Sequence, residues 1–142
     1  MRRVLRSVLP IIVSLLLVVP SCGRATKPET PEELVVAMRK AYERKDADAI
    51  MALTADPAIL PKGAMKRQQE RYDRERDRDE LEVELKRNGM WYRAWKDAKF
   101  VSAREHGDHV HVTVETTNVP TEIVLVRQDG FLKIHPAPGS FD

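Results

Sequence analysis

Cysteine is nearly missing. The 142-residue chain has one, Cys22, so no intramolecular disulfide can form and a bridge-stapled fold is excluded. Glycine is sparse, at six residues, and none sits in a Rossmann or Walker pattern, so no phosphate-cradling loop is encoded. A Gly-x-Ser-x-Gly elbow is also lacking, which removes the usual strained nucleophile turn. Long hydrophobic runs are few. The longest, Val8 to Val19, falls short of the roughly 20 residues a membrane-spanning helix needs. Net charge is small as well, at +2. No internal repeat is visible.

What is present begins with an address. Arg2, Arg3 and Arg6 precede the apolar run, and Val19-Pro20-Ser21-Cys22 closes it. A basic start, a short apolar core and a cleavage site make an export signal, which leaves the fold argument. The ending resembles the lipobox of bacterial lipoproteins, in which a signal peptidase cuts before a diacylated cysteine. That resemblance implies a signal peptide over 1–21, a lipidated Cys22 with a short tether over 22–29, and a domain over 30–138. It also implies a place in the bacterial cell envelope, lipid-anchored to a membrane and facing the periplasm or exterior. Two or three acyl chains hold a protein stably, where one binds only marginally. Without the three signal arginines the chain has 21 bases against 22 acids, so no electrostatic footprint for nucleic acid remains.

Just over 110 residues then suffice for one domain with one core. Thr30-Pro31-Glu32-Glu33 predicts a helix start, with Thr30 as cap, Pro31 at the first helical position and Glu33 completing a capping box. Leu34, Ala37, Met38, Ala41 and Tyr42 recur at helical spacing on one face. Asp46 ends this helix and caps a second, short one carrying Ala49, Ile50 and Leu53. Asp56-Pro57 and Pro61-Lys62-Gly63 are breaks.

Between Lys66 and Arg87 stand eight acids and eight bases, many at i,i+4 spacing, as in Arg76 with Glu80 and Glu82 with Lys86. This predicts a helix over 64–87 with a solvated face, docking through Met65, Tyr72, Leu81 and Leu85 and terminated by Asn88-Gly89. Met90 to Trp95 is the densest aromatic cluster. It fits a strand, a helical turn or the lip of a pocket, and Trp91, Tyr92 and Trp95 are the candidate ligand-binding residues.

Residues 98–135 read as four short strands. Val110, Val112 and Val114 alternate with His109, His111, Thr113 and Glu115, placing valines on one face and polar groups on the other. Ile123 to Val126 is an unbroken apolar run, as in a strand covered on both faces. Asp129-Gly130 predicts a tight hairpin before Phe131 to Ile134.

Helices followed by antiparallel strands give an α+β order. Thr30 to Leu34 with Asp46 to Leu53, and Gly107 to Val112 with Asp129 to Ile134, resemble the nuclear transport factor 2-like superfamily. The resemblance implies N-terminal helices packed on a curved antiparallel sheet of about four strands, shaped as a cone. It spans about residues 30–135 and carries no catalytic residue across, because fold does not fix function.

His109-x-His111 places two imidazoles on one side of a strand, with His106 and Asp108 near in sequence and His135 a conceivable third ligand. Alternation with the valines makes this a solvated strand face, so no metal and no cofactor is expected. The expected role is a non-enzymatic binding or interaction domain on a membrane anchor, a monomer or weak homodimer, meeting a small apolar ligand or an envelope protein. The alternatives are an isomerase- or dehydratase-type enzyme with Tyr42, Tyr72 or a helix acid in the pocket, and an assembly module of an envelope complex.

Overall fold

A computed structural model describes residues 26–56, 74–117 and 119–136. The expected signal, Cys22, Met65, Tyr72 and the breaks at Pro57 and at 61–63 lie outside the described residues. Among the described residues, four helices precede a four-stranded antiparallel sheet, the α+β order expected: α1 (Pro31–Glu43), α2 (Ala47–Ala52), α3 (Arg74–Lys86), α4 (Met90–Trp95), β1 (Lys99–His106), β2 (His109–Thr116), β3 (Val119–Gln128) and β4 (Phe131–Ile134). The strands pair in sequence order as a meander.

The start of α1 forms as the sequence dictates. The Thr30 hydroxyl accepts from the Glu33 N–H at 3.2 Å, and the Glu33 carboxylate accepts from the Thr30 N–H at 3.3 Å. One face of α1 then buries Leu34, Val35, Met38, Ala41 and Tyr42. Each large apolar side chain taken fully from water contributes roughly 1.5–3 kcal/mol, so this face outweighs any cap. Asp46 caps α2, its Oδ1 accepting from the Ala49 N–H at 3.0 Å.

Two helix ends share one device. After α1, Lys45 takes φ 54° while its N–H donates to the Tyr42 carbonyl and that of Asp46 to the Ala41 carbonyl. After α3, Asn88 takes φ 51° while its N–H donates to the Leu85 carbonyl and that of Gly89 to the Glu84 carbonyl. Both are Schellman closures, with a left-handed residue satisfying the last carbonyls. The Lys45 ammonium donates to Asn88 Oδ1 at 2.6 Å, so the two ends are fastened to each other.

Within the described residues α3 buries only Leu85. Its i,i+4 pairs, Arg76–Glu80 at 3.7 Å, Arg78–Glu82 at 2.9 Å and Lys86–Glu82 at 3.6 Å, lie at the surface, where helix pairs of this spacing contribute roughly 0.3–0.5 kcal/mol each. Two contacts reach further than the expected solvated face. Arg74 donates to the Met51 carbonyl at 2.7 Å, closing the end of α2, and Arg78 binds Asp48 at 2.6 Å. Those ties and Leu85 dock the helix.

In β2 the alternation appears directly in burial. Val110, Val112 and Val114 are buried, and Val112 pairs with Ala103 on one side and Ile123 on the other. Ile123, Val124 and Leu125 are all buried, as a strand covered on both faces requires. Asp129 and Gly130 take φ 57° and 85°, the two positive angles of a type I′ hairpin.

The two sheet edges are treated differently. The free edge of β4 is covered: the Leu132 N–H donates to the Pro28 carbonyl at 2.9 Å, and Ile134 exchanges 2.8 Å bonds with Leu53 and Ala55. Pro28, placed in the tether by sequence, is thus packed against the sheet. The edge at β1 is left exposed, broken by a register shift at Val101 and carrying Lys99 and Arg104, features that deter edge pairing.

Val112 is fully buried in the middle of the inner face. Val112→Asp is expected to abolish cooperative unfolding, since a carboxylate there has no partner. A thermal melt by circular dichroism that matched the parent would contradict the register described here.

Candidate functional site

The helices do not cover the inner face completely. Between them and the sheet lies a cavity of about 500 Å³. Met38 and Tyr42 reach it from α1, and Ile50 and Met51 from α2. Leu81 and Glu84 come from α3, Trp91 and Trp95 from α4, and Ile123 and Ile134 form the sheet wall. Asp77, Glu80 and Glu84 bring carboxylates to a lining that is otherwise mostly apolar. A larger depression of about 860 Å³ along Lys27, Glu29, Glu32 and Lys40 lacks any aromatic wall. Drug-sized ligands occupy mostly apolar pockets of about 300–1,000 Å³ with a few polar groups, and the inner cavity fits that description.

The aromatic cluster is a helical turn, and its three rings part company. Trp95 is buried and stacks on Tyr42, with centroids 6.0 Å apart and planes 8° from parallel. Trp91 stands half-exposed at the cavity edge. Tyr92 does not line the cavity; the Lys45 ammonium sits 4.9 Å from its ring centroid. Of the sequence candidates, two therefore wall the cavity and the third joins the clasp between helix ends.

Glu84 positions Trp91. Its carboxylate accepts from the Trp91 N–H at 2.8 Å, capping the start of α4, where Gly89 supplies no side chain. A Cβ at position 89 would meet that carboxylate, so a side chain there would displace Glu84 from its cap, while the φ of −66° makes no demand for glycine. Glu84 is thereby committed to a structural hydrogen bond on the cavity wall.

Tyr42 brings a phenol to the same wall. Burial pushes its phenol up to about 12, and the nearby Glu84 charge adds to the effect. The hydroxyl stays protonated at neutral pH and can offer a ligand a hydrogen bond.

Tyr42, named by sequence among possible pocket residues, is in place, and so are acids of the charged helix. Nothing in the sequence marks Met38, Met51 and Ile134 as pocket residues. Their helical and strand periodicity marks them as apolar faces, and the same signal serves core and cavity wall alike. His135, offered as a third metal ligand, is buried and lines this cavity instead. His109 and His111 lie on the other face of the sheet, since they alternate with the buried valines.

The folded pKa of Tyr42 lies above its ordinary value of 10.0, so its contribution to stability is complete below pH 10 and is lost as pH rises toward 12. Over that window the parent is expected to lose on the order of 2–3 kcal/mol more than Tyr42→Phe. Urea denaturation at pH 9 and pH 11.5 measures the difference; equal losses would remove the burial argument.

No family model matches the chain, and no curated protein matches it. Among solved structures it overlaps a designed protein of nuclear transport factor 2 type, titled Rd1NTF2_05 followed by five substitutions. The match covers 72% of this chain and 89% of that one, at 14% identity and a TM-score of 0.40.

Proposed function

We propose that the chain is an exported, lipid-anchored envelope protein whose domain binds a small amphiphile without transforming it. The observation that carries the binding reading is the cavity of about 500 Å³ walled by Trp91, Trp95, Tyr42 and aliphatic side chains. The ligand has an apolar body and a neutral or cationic head. Carboxylates of Asp77, Glu80 and Glu84 disfavour an anion there, while the protonated Tyr42 donates a hydrogen bond. Glu84 is held by the Trp91 N–H, and the Tyr42 phenol stays protonated at neutral pH, so neither is a ready proton acceptor. Lipidation at Cys22 supplies the anchor in this reading.

Native mass spectrometry of the chain with Cys22→Ser, purified from a bacterial host, is the direct test. A retained small molecule, lost in Met51→Trp where the larger ring fills the cavity, is the expected result. A bare mass, with no saturable change in tryptophan emission on adding a long-chain alkylamine or alcohol, would overturn the binding reading.

The anchor is tested separately by fractionating cells. Cys22→Ser is expected to move the protein from the membrane to the soluble fraction, and persistence in the membrane would contradict lipidation at that residue.

A further inference from the structure

The face of the sheet turned away from the cavity gathers three of the four histidines of the chain. His106 ends β1 and His109 begins β2, and the two are register partners across a turn in which Gly107 takes φ 64°. His111 follows His109 by two residues and so shares its side of the strand. The ring centroids are 5.2 Å apart for His106–His109, 5.2 Å for His109–His111 and 5.8 Å for His106–His111. One nitrogen from each ring lies within 4.8 Å of the others.

Two of the rings are held by carboxylates. His109 Nδ1 meets Asp108 Oδ1 at 3.0 Å, and His111 Nδ1 meets Glu122 Oε1 at 2.7 Å, the latter from the neighbouring strand β3. A carboxylate on Nδ1 fixes the tautomer that directs Nε2 to a metal and raises its basicity, the arrangement found around histidines that ligate zinc. The side chains of His109 and His111 are 13% and 16% exposed, whereas His106 is exposed. Two ligands are therefore preset and the third is free to swing. Arg104, the register partner of His111, is the nearby cation that opposes a metal, and the Asp108 and Glu122 carboxylates offset it.

We propose that His106, His109 and His111 form a binding site for a divalent metal ion of the zinc class, with a fourth coordination position open to water or an anion. Zinc–nitrogen bonds of ~2.0–2.1 Å in a tetrahedron place ligand nitrogens roughly 3.3 Å apart. The nitrogens, all within 4.8 Å of one another, must close by at most about 1.5 Å, a distance within the reach of side-chain torsions of the three histidines. Sequence alone suggests a pair on a solvated face. The two-residue turn converts it into a triad by bringing His106 opposite His109, and register, which sequence does not display, accounts for the difference.

The test uses the full chain in detergent, made without a histidine tag. Adding Zn²⁺ is expected to raise Tm by about 5 °C or more. Adding Co²⁺ is expected to give the intense visible absorption of a tetrahedral site. His106→Gln, which changes an exposed side chain, should keep the metal-free Tm and weaken Co²⁺ binding at least tenfold. Glu122→Gln should weaken it by about 10–100-fold through the orientation of His111. No Tm change and no visible band at millimolar metal, or Co²⁺ binding that survives His106→Gln unchanged, would overturn the site.

Discussion

The fold depends on the burial of one helix face against one sheet face. Leu34, Val35, Met38, Ala41 and Tyr42 of α1 meet a layer made by Val110, Val112, Val114, Ile123, Leu125 and Leu132, in one continuous cluster. Ile50, Leu53, Leu85 and Trp95 join the same cluster. α3 buries a single leucine within the described residues, and each of its exposed ion pairs contributes less than one such side chain. Hence α3 is positioned by what α1 and α2 offer it: the Met51 carbonyl for Arg74, Asp48 for Arg78, and Lys45 for Asn88. The cavity follows from this hierarchy. α1 seals its part of the sheet, while α2, α3 and α4 are tied at their ends and leave space above Ile123 and Ile134.

The parts written in local chemistry could be read directly. The capping box at Thr30 and Glu33, the Asp46 cap, the Asp129-Gly130 hairpin and the alternation through Val110, Val112 and Val114 all stand where their residue types put them. Each is settled within a few residues by hydrogen bonding or by the period of a strand. What escaped reading was settled by distant partners. Trp95 and Tyr92 are three residues apart in the same aromatic run, yet one stacks on Tyr42 and the other on the Lys45 ammonium, because neighbours 50 residues away divide them. Arg78 looked like one more solvated charge and is bound to Asp48 of another helix. Cavity walls were legible as apolar positions only, since periodicity separates buried from exposed and not packed from empty.

Glu84 shows how structure and site share one group. Its carboxylate caps α4, which sets Trp91 at the cavity edge, and its charge helps keep the Tyr42 phenol protonated. Gly89 is the residue that lets the carboxylate pass close to the backbone. A single acid thus orients an aromatic wall and tunes a hydrogen-bond donor.

The sheet separates two chemistries. Its inner side is a continuous apolar layer; its outer side carries His109, His111, Thr113 and Glu115 in alternation with that layer. A group bound to the imidazoles would touch β1, β2 and, through Glu122, β3, whereas the cavity is walled by the helices with Ile123 and Ile134. The strand that links the two is β3. Glu122 faces the histidines and Ile123, the next residue, faces the cavity, so one peptide unit of β3 separates the two. Coupling along that path is limited by the stiffness of a strand paired on both sides, and any effect of metal on ligand affinity must be matched by an equal effect of ligand on metal affinity.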